Sequence, residues 1–213
     1  MTEVVLASRN HKKLAELERI LRGHLPDIHV LGLDDVSAYD EPVEDEPTFE
    51  GNALLKARAA LAVTGLPSIA DDSGLCVAAL NGMPGVLSAR WAGRPRSDDR
   101  NNQLLLDQLA DVPDERRAAH FACAIACCLP GGATLVEHGE MRGRVIRELR
   151  GEGGFGYDVL FVPDEYAAAG PGGHGLTSAE LDQQAKDAIS HRGRALRRLA
   201  PLLAELLSVS PPG

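Results

Sequence analysis

The sequence predicts an α/β protein with a mixed central sheet, on two observations. In the first half, short apolar strand-like segments alternate with helix-like segments, as in parallel strands joined by helices. In the second half, the apolar runs 118–129 and 133–147 are separated by Pro130, Gly131 and Gly132, which indicates a hairpin. The 213 residues are enough to bury one substantial core, so we expect a single domain over residues 1–213.

The first elements follow in chain order. Residues 3–7 form a strand candidate, and residues 11–22 carry Leu and Ile at helical spacing, which predicts a helix. A second strand is expected near 29–33. The stretch 34–47 is acidic and contains two prolines, so we expect a loop there.

The middle of the chain begins with a helix that we expect to start at Thr48 and to end at Gly65 and Pro67. A buried strand is expected at 68–70, and it leads directly into the polar segment 71–74. The helix and the strand are therefore consecutive in the chain.

The remaining elements belong to the second half. We expect a helix that begins at Asp98, a strand at 159–162 and a mobile surface loop in the Ala-, Gly- and Pro-rich segment 167–175. The chain then ends in two helices, one over 178–188 and one from Ser190 onward.

The composition excludes several classes of protein. The formal net charge of −9 at pH 7 argues against a general nucleic-acid binder, which would usually present a basic surface. A small anionic substrate is still possible, because a local Lys/Arg cluster or a bound cation can reverse the sign inside a cleft. No apolar run approaches the roughly 18 residues of a membrane span, and the N-terminus lacks a signal-peptide layout, so we expect no membrane association.

The four cysteines indicate a reducing compartment. None forms a Cys-x-x-Cys pair, and Cys123, Cys127 and Cys128 lie in one apolar run. Buried free thiols are therefore expected in place of a disulfide framework or a zinc site, and we expect a cytoplasmic protein.

A polar turn lies between the first strand and the first helix. It contains Ser8, Arg9, Asn10, His11, Lys12 and Lys13. Backbone N–H groups at a helix start, with a nearby lysine, form a natural site for a phosphate. Ser and Asn are equally common there as helix caps, so the turn alone leaves both interpretations open.

Two adjacent carboxylates, Asp71 and Asp72, lie at the predicted end of a buried strand, where open α/β sheets place their active sites. Like charges this close repel each other, and a divalent cation offsets that cost. Mg²⁺ commonly uses one or two carboxylates together with substrate phosphate oxygens. The alternative is an ordinary turn, which Asp and Ser-Gly also favour. A further carboxylate could come from the acidic loop, where the spacing does not choose among Glu41, Glu44, Asp45 and Glu46.

The glycine-rich segment 151–158 contains a formal G-x-G-x-x-G pattern. A dinucleotide fingerprint follows a strand and opens a helix, whereas this segment leads into a strand pattern, so we reject that interpretation. The segment carries Phe155 and Tyr157 and would suit a flat base that stacks on an aromatic ring. An ordinary tight turn with core aromatics is the alternative. Lys186 and the segment 190–193 are likewise either a phosphate and base contact or a solvated helix start.

In combination, these motifs resemble the inosine/xanthosine triphosphate pyrophosphatase family, which removes deaminated purine nucleotides. The resemblance extends from residue 4 to about residue 199. The blocks that carry it are VLASRNHKK at 5–13, TFEGNA at 48–53, KAR at 56–58, IADDSGL at 69–75, GMPGVLSAR at 82–90, GGFGYD at 153–158, and Lys186 with ISHRG at 189–193.

The resemblance implies a mixed α/β fold whose central sheet forms two lobes, flanked by helices, with a cleft between them, usually as a homodimer. It implies Mg²⁺-dependent hydrolysis of ITP, dITP and XTP to the monophosphate and pyrophosphate. Asp72 would bind Mg²⁺ and activate water with Asp71 beside it, and Glu44 would be the second metal carboxylate. For the triphosphate, the implied contacts are Ser8, Arg9, Asn10, His11, Lys12, Lys13 and Lys56, and Lys13 would also be catalytic. Ser73 would contact the nucleotide, and the base would contact Phe155, Gly156, Tyr157 and Asp158. The 6-oxo purine and its phosphates would contact Lys186, His191 and Arg192.

Three departures from the family pattern stand out. Arg9 replaces a common glycine, which makes the phosphate turn tighter or more cationic. Gly51 replaces a usual Glu, which leaves Thr48 as the sole helix cap. The segment 167–175 is an insertion that looks peripheral.

Two further functions are compatible with the sequence. One is a nucleotide sensor that keeps the pocket without catalysis, although the intact Asp71, Asp72 and Lys13 count against it. The other is a pyrophosphatase with a different base range, such as modified pyrimidines.

Overall fold

The computed structural model describes residues 2–209, without the side chains of Lys12 and Val209, and this range contains both strands and helices. None of the helices in this range is long and apolar enough to cross a membrane. The strands are β1 (Thr2–Leu6), β2 (Ile28–Leu31), β3 (Ser68–Val77), β4 (Ala118–Cys128), β5 (Thr134–Val145) and β6 (Phe161–Pro163). The helices are α1 (His11–Arg22), α2 (Phe49–Thr64), α3 (Asp98–Gln108), α4 (Gln183–Ile189) and α5 (His191–Val209).

The strands form a mixed sheet in the order β2-β1-β3-β4-β5-β6, as predicted. β1 is parallel to both of its neighbours, with Val4 opposite Val30 of β2 and Leu6 opposite Ile69 of β3. β5 and β6 are antiparallel, with Arg144 opposite Val162. The α/β class and the mixed sheet are therefore confirmed.

The start and end of α2 follow from local chemistry. The Thr48 hydroxyl accepts a hydrogen bond from the Gly51 N–H at 3.0 Å, which satisfies one of the free amides of the first turn. At the other end, Gly65 adopts φ 68° and donates its N–H to the Leu61 carbonyl at 2.8 Å. Glycine tolerates this left-handed conformation, so the predicted boundaries of the helix are confirmed.

The chain divides into two compact units. The first comprises Met1–Asp72, Cys123–Gly139 and Arg192–Gly213, and the second comprises Ser73–Ala122 and Glu140–His191. Each has a hydrophobic core of its own: Leu75, Leu105 and Phe161 belong to the core of the second unit. That residues 1–213 form a single domain stays a prediction.

In the first unit, the strands separate two apolar layers. One layer contains Ile69 and Ile125 together with residues of α1 and α5. The other contains Ala70 and Ala124 together with Ala53 of α2. Adjacent residues of a strand point to opposite faces, so each layer takes alternate residues of β3 and β4.

The four cysteines are free, as expected, and three of them are buried. Burial raises the pKa of the Cys127 thiol to about 12 and raises the pKa of Cys123 as well. These thiols are therefore protonated at neutral pH and act as small apolar core residues.

Three expectations about the elements are wrong. β3 does not end at Ala70 but continues to Val77, so Asp71 and Asp72 lie inside the strand. The helix expected over 178–188 begins only at Gln183, because Asp182 caps it through a bond from the Ala185 N–H at 2.8 Å. The strand expected at 159–162 is preceded by a short 3-10 helix over Gly156–Leu160, which leaves only Phe161–Pro163 extended.

Candidate functional site

The two adjacent aspartates of β3 point to opposite faces of the sheet. Because side chains alternate along a strand, Asp71 shares the face of Ile69, and Asp72 shares the face of Ala70. The contacts of the two carboxylates follow this alternation. The two carboxylates therefore do not repel each other at one place, as the sequence suggested, but lie in two separate environments.

Asp71 is neutralised by two cations. Its carboxylate is 7% exposed and accepts two hydrogen bonds from the Lys13 ammonium, at 2.9 and 3.0 Å. The Arg192 guanidinium donates to Asp71 Oδ2 at 3.0 Å. Burial alone would raise the pKa of Asp71, but the charges of Lys13 and Arg192 outweigh it and hold the pKa well below its usual range. Asp71 therefore ties α1 and α5 to β3 as a permanent anion.

Asp72 has a different environment. Asn52 of α2 donates to Asp72 Oδ2 at 2.9 Å, and the Lys56 ammonium lies 3.7 Å from Oδ1. Lys56 itself is bound more closely to Glu44, at 2.8 Å, and to the Asp71 backbone carbonyl, at 2.7 Å. Burial raises the pKa of Asp72, and the charges of Glu44 and Asp71 raise it further, against the opposing effect of Lys56 and Asn52. On the α2 face, Asp72 and Glu44 therefore share one cation, Lys56.

Asn52 is the residue of this cluster that the sequence did not single out. It is fully buried, and its side-chain carbonyl accepts the Glu46 N–H at 3.1 Å while its amide binds Asp72. It therefore connects the acidic loop to the strand. The signal that could have found it is its spacing from Lys56, since residues i and i+4 share one helix face.

Packing explains why residue 51 is a glycine. A Cβ at this position would lie 2.8 Å from the Glu46 Cβ, closer than real contacts permit. The acidic loop thus occupies the space in which the usual family Glu would begin. The cap at Thr48 is present without a reciprocal side chain.

The turn before α1 uses its polar side chains as caps. Ser8 Oγ accepts from the Asn10 N–H at 3.1 Å, and Asn10 Oδ1 accepts from the Lys13 N–H at 3.3 Å. The Arg9 guanidinium binds Asp34 at 2.7 Å and Glu41 at 3.2 Å. His11 is exposed, and the side chain of Lys12 lies outside the described part of the chain. The phosphate role of this turn stays a prediction.

The acidic side of the cluster has the chemistry to hold a divalent cation. Within residues 2–209, no group of three or more His, Cys, Asp or Glu side chains is placed to hold a metal ion. Glu44 and Asp72 nevertheless bind the same lysine, and burial, with the smaller effect of the Glu44 and Asp71 charges, raises the pKa of Asp72. A cation that takes most of its ligands from water and substrate oxygens needs only such a sparse set, so the residues fit.

The second unit carries the aromatic loop, which we define as residues 153–158. The Phe155 ring is 65% exposed, and the Lys186 ammonium lies 5.4 Å from its centroid. Asp158 Oδ2 accepts from the Phe155 N–H at 2.8 Å and from Lys186 at 2.6 Å. Gly154 adopts φ 75°, and a Cβ there would collide with the Asp158 carboxylate. The loop thus presents one aromatic face with a cation beside it.

Other residues of the second unit lie deeper. Tyr157 is 4% exposed, and its hydroxyl donates to the Ser88 carbonyl at 2.9 Å, so it lies in the core of the second unit. The His191 ring stacks on Phe121 with centroids 5.1 Å apart. Ser73 lies within β3 and is half-buried. Nucleotide contacts for these residues stay predictions.

Comparison with protein-family models gives one match. The model of the Ham1 family covers residues 4–202 of the sequence. The chain belongs to the Ham1 family. Curated relatives from this family include a dITP/XTP pyrophosphatase of Nocardia farcinica, 58% identical over 97% of each chain, and one of Corynebacterium glutamicum, 52% identical over 98% of this chain and 100% of that protein.

Solved structures of the Ham1 family have the same fold. A HAM1 protein from Coxiella burnetii superposes with a TM-score of 0.85 at 44% identity and covers 96% of this chain and 100% of that one. A dITP/XTP pyrophosphatase from Mycobacterium abscessus gives a TM-score of 0.77 at 50% identity, over 94% and 100% of the two chains. The family resemblance seen in the sequence is confirmed.

Proposed function

We propose that this chain is a nucleoside-triphosphate pyrophosphatase that hydrolyses dITP, ITP and XTP to the monophosphate and pyrophosphate. The single observation that carries the proposal is the Asp72 cluster, where a partly buried carboxylate with a raised pKa lies beside Lys56 and Glu44. The names of the relatives, dITP/XTP pyrophosphatase, support the choice of substrate.

Lys13 and Lys56 bind the triphosphate. Both ammonium groups are partly buried and already held by carboxylates, so little conformational entropy is lost when a phosphate replaces one contact. Ser8, Asn10 and the backbone of the turn before α1 add neutral donors. The net negative charge of the chain is no obstacle, because the lysines supply the local positive charge.

Mg²⁺ is the proposed cofactor, and Glu44 and Asp72 would hold it. When bound, it would neutralise phosphate charge and lower the pKa of a nearby water. Substrate oxygens and water would complete its ligands, so the two carboxylates would be enough protein ligands. Glu44→Gln should raise the Mg²⁺ concentration for half-maximal activity, and isothermal titration with Mg²⁺ alone checks the same site without turnover.

Asp72 is the proposed general base. Asn52 donates to its Oδ2 and uses one lone pair of that oxygen, so we assign Oδ1 as the oxygen that accepts the proton from the attacking water. Lys56 lies 3.7 Å from that oxygen, close enough to keep the carboxylate charged and too far to block it with a hydrogen bond. Lys13 and Lys56 then stabilise the departing pyrophosphate.

The base binds the aromatic loop. Phe155 offers an exposed ring for stacking, which contributes roughly 1–3 kcal/mol per base in proteins that bind single-stranded nucleic acids. Lys186 and His191 of the second unit supply donors for a 6-carbonyl. Adenine carries an amino donor at that position, so donors would be left without acceptors and ATP should be a poor substrate.

Three further features belong to the same proposal. The chain works as one domain, since a single family model spans residues 4–202. It is cytoplasmic, in keeping with four free cysteines. It assembles as a homodimer, and light scattering of the purified chain tests that state.

Pyrophosphate release from dITP, XTP, GTP, ATP and dUTP, with and without Mg²⁺, tests the proposal. We expect Mg²⁺-dependent release from dITP and XTP, equimolar monophosphate and little activity on ATP. Tight binding of dITP without any product would instead support a nucleotide sensor. Preference for dUTP would support a pyrimidine enzyme, and orthophosphate as the first product would contradict the assigned bond.

A further inference from the structure

Both backbone polar groups of Gly156 are held by α3. Its N–H donates to Asp98 Oδ2 at 2.7 Å, and its carbonyl accepts from Asn102 Nδ2 at 3.0 Å. Asp98 and Asn102 are four residues apart, so they share one helix face. We call this pair of hydrogen bonds the α3 clamp.

The clamp acts on a segment that has little else to fix it. The Phe155 ring is 65% exposed, so packing does not determine where it points. Gly154 and Gly156 flank it with φ 75° and 61°, and glycine loses more conformational freedom on ordering than any other residue. The orientation of the ring therefore depends on hydrogen bonds of the neighbouring backbone. On the N-terminal side this is the bond from the Phe155 N–H to Asp158. On the C-terminal side the Phe155 carbonyl accepts from the Asp158 N–H at 3.3 Å, and the clamp holds the next residue.

The helix that carries the clamp is itself firmly placed. Leu105 is fully buried in the core of the second unit. The Asn101 side chain accepts from the Ala92 N–H at 2.7 Å and donates to the Ser88 carbonyl at 3.3 Å. The same carbonyl accepts from the Tyr157 hydroxyl. Helix and loop are therefore joined to a common backbone point, which gives the clamp a rigid support.

We propose that Asp98 and Asn102 are positioning residues that hold Phe155 in the orientation in which it stacks on the base of the nucleotide. This inference rests on the proposed function, in which Phe155 is the stacking residue. It predicts that the clamp sets the affinity for the base and leaves the chemistry at the phosphates unchanged. A preorganised ring binds more tightly, because the ordering entropy is spent on folding and not on binding.

Asp98 supplies the decisive variants, because it is exposed and its replacement should leave the fold intact. Asp98→Ala removes the acceptor for the Gly156 N–H, whereas Asp98→Asn keeps an acceptor oxygen without the charge. Asp99→Ala is the matched control, since it removes the neighbouring exposed carboxylate from the same helical turn. Asn102→Ala tests the other half of the clamp and is read only alongside its melting temperature, because Asn102 is buried.

Three readouts separate positioning from a general structural role. For Asp98→Ala we expect the KM for dITP to rise about tenfold, the loss expected for one charged hydrogen bond, with kcat within about threefold of wild type. Inhibition by inorganic tripolyphosphate, which has no base, should be unchanged. Hydrogen exchange of the Gly156 amide should become faster. Asp98→Asn should restore most of the KM, and Asp99→Ala should match wild type.

The outcomes distinguish failure of the clamp inference from failure of the proposed function. An unchanged KM in Asp98→Ala with an active wild type overturns the inference, as does an equal loss of tripolyphosphate binding. If wild type releases no pyrophosphate from any nucleotide, the proposed function fails. Exchange of the Gly156 amide in Asp98→Ala then still shows whether the clamp orders the loop, and unchanged exchange overturns the clamp as well.

Discussion

The two faces of β3 in the first unit treat neighbouring carboxylates in opposite ways. On the face of α1 and α5, Asp71 has two cations within 3.0 Å, and its pKa is held well below the usual range. On the face of α2, Asp72 shares one lysine with Glu44, and its pKa is raised. Adjacent residues of one strand thus have opposite charge balances.

This difference separates a structural anion from a reactive one. A carboxylate that two cations saturate is a poor base and a good anchor, and a desolvated one that shares a single lysine with another carboxylate attracts a proton or a metal ion. Pairs of acids whose pKa values are driven apart commonly divide roles in this way. We therefore assign the chemistry to Asp72 and the positioning of Lys13 and Arg192 to Asp71.

The largest expected effect comes from the α2 face. Asp72→Asn keeps the shape and the acceptor for Asn52 but removes the base, so kcat for dITP should fall by about 10³-fold or more. Circular dichroism and the melting temperature should stay close to wild type. Turnover of Asp72→Asn at more than about a tenth of the wild-type rate would break the comparison.

Asp71→Asn should act on stability. It removes the carboxylate that Lys13 and Arg192 share, and breaking a buried ion pair costs about 3–5 kcal/mol of unfolding free energy. Denaturant unfolding at pH 7 measures this loss. A loss below about 1 kcal/mol would show that Asp71 is not an anchor.

The stability difference between wild type and Asp71→Asn has a defined pH dependence. The folded pKa of Asp71 is depressed, so its stabilisation is fully present above the unfolded pKa of about 3.9 and is lost as the pH falls toward the folded value. The stability difference between wild type and Asp71→Asn should therefore be constant above about pH 5 and shrink at pH 3. A difference that grows on acidification would contradict the assigned sign.

Asn52→Ala should have an intermediate effect. It leaves Asp72 Oδ2 without its donor and frees the Glu46 N–H, which we expect to lower kcat about tenfold and to raise the Mg²⁺ requirement. Hydrogen exchange over residues 41–47 should become faster. Unchanged exchange there, together with unchanged kcat, would remove Asn52 from the cluster.

Thr48→Ala is the smallest change and the control for Asn52→Ala. It removes the cap of the same helix without a contact to Asp72, so it should cost about 1 kcal/mol of stability and leave kcat unchanged. If it lowers kcat as much as Asn52→Ala, the effect of Asn52 is only that of the helix start.

Much of the fold could be predicted from local signals. α1 has the predicted bounds, because its apolar residues repeat at helical spacing and Asn10 precedes them as a cap. The strand predicted at 68–70 is shorter than β3, because Asp-Asp-Ser-Gly has the composition of a turn. The strand continues there since each carboxylate finds partners on its own face, and those partners lie far away in sequence. Likewise, Ser178 suggested a helix start, but its N–H donates to the Phe161 carbonyl, and the helix begins only at Gln183.

The candidate site could be predicted in part. The motifs named both aspartates and Lys13, and the family resemblance added Lys56, but neither indicated which lysine binds which aspartate. That assignment needs the alternation of β3 together with the positions of α1, α2 and α5. Asn52 was missed because a buried Asn in a helix has no signal by itself; it gains a role only once Asp72 is placed on the α2 face.

The turnover number for dITP, measured side by side in Asp71→Asn and Asp72→Asn at a temperature where both are folded, tests the division of roles most directly. The account predicts that Asp71→Asn keeps kcat within about tenfold of wild type while Asp72→Asn loses about 10³-fold or more. Equal losses in the two variants, or the larger loss in Asp71→Asn, would contradict it.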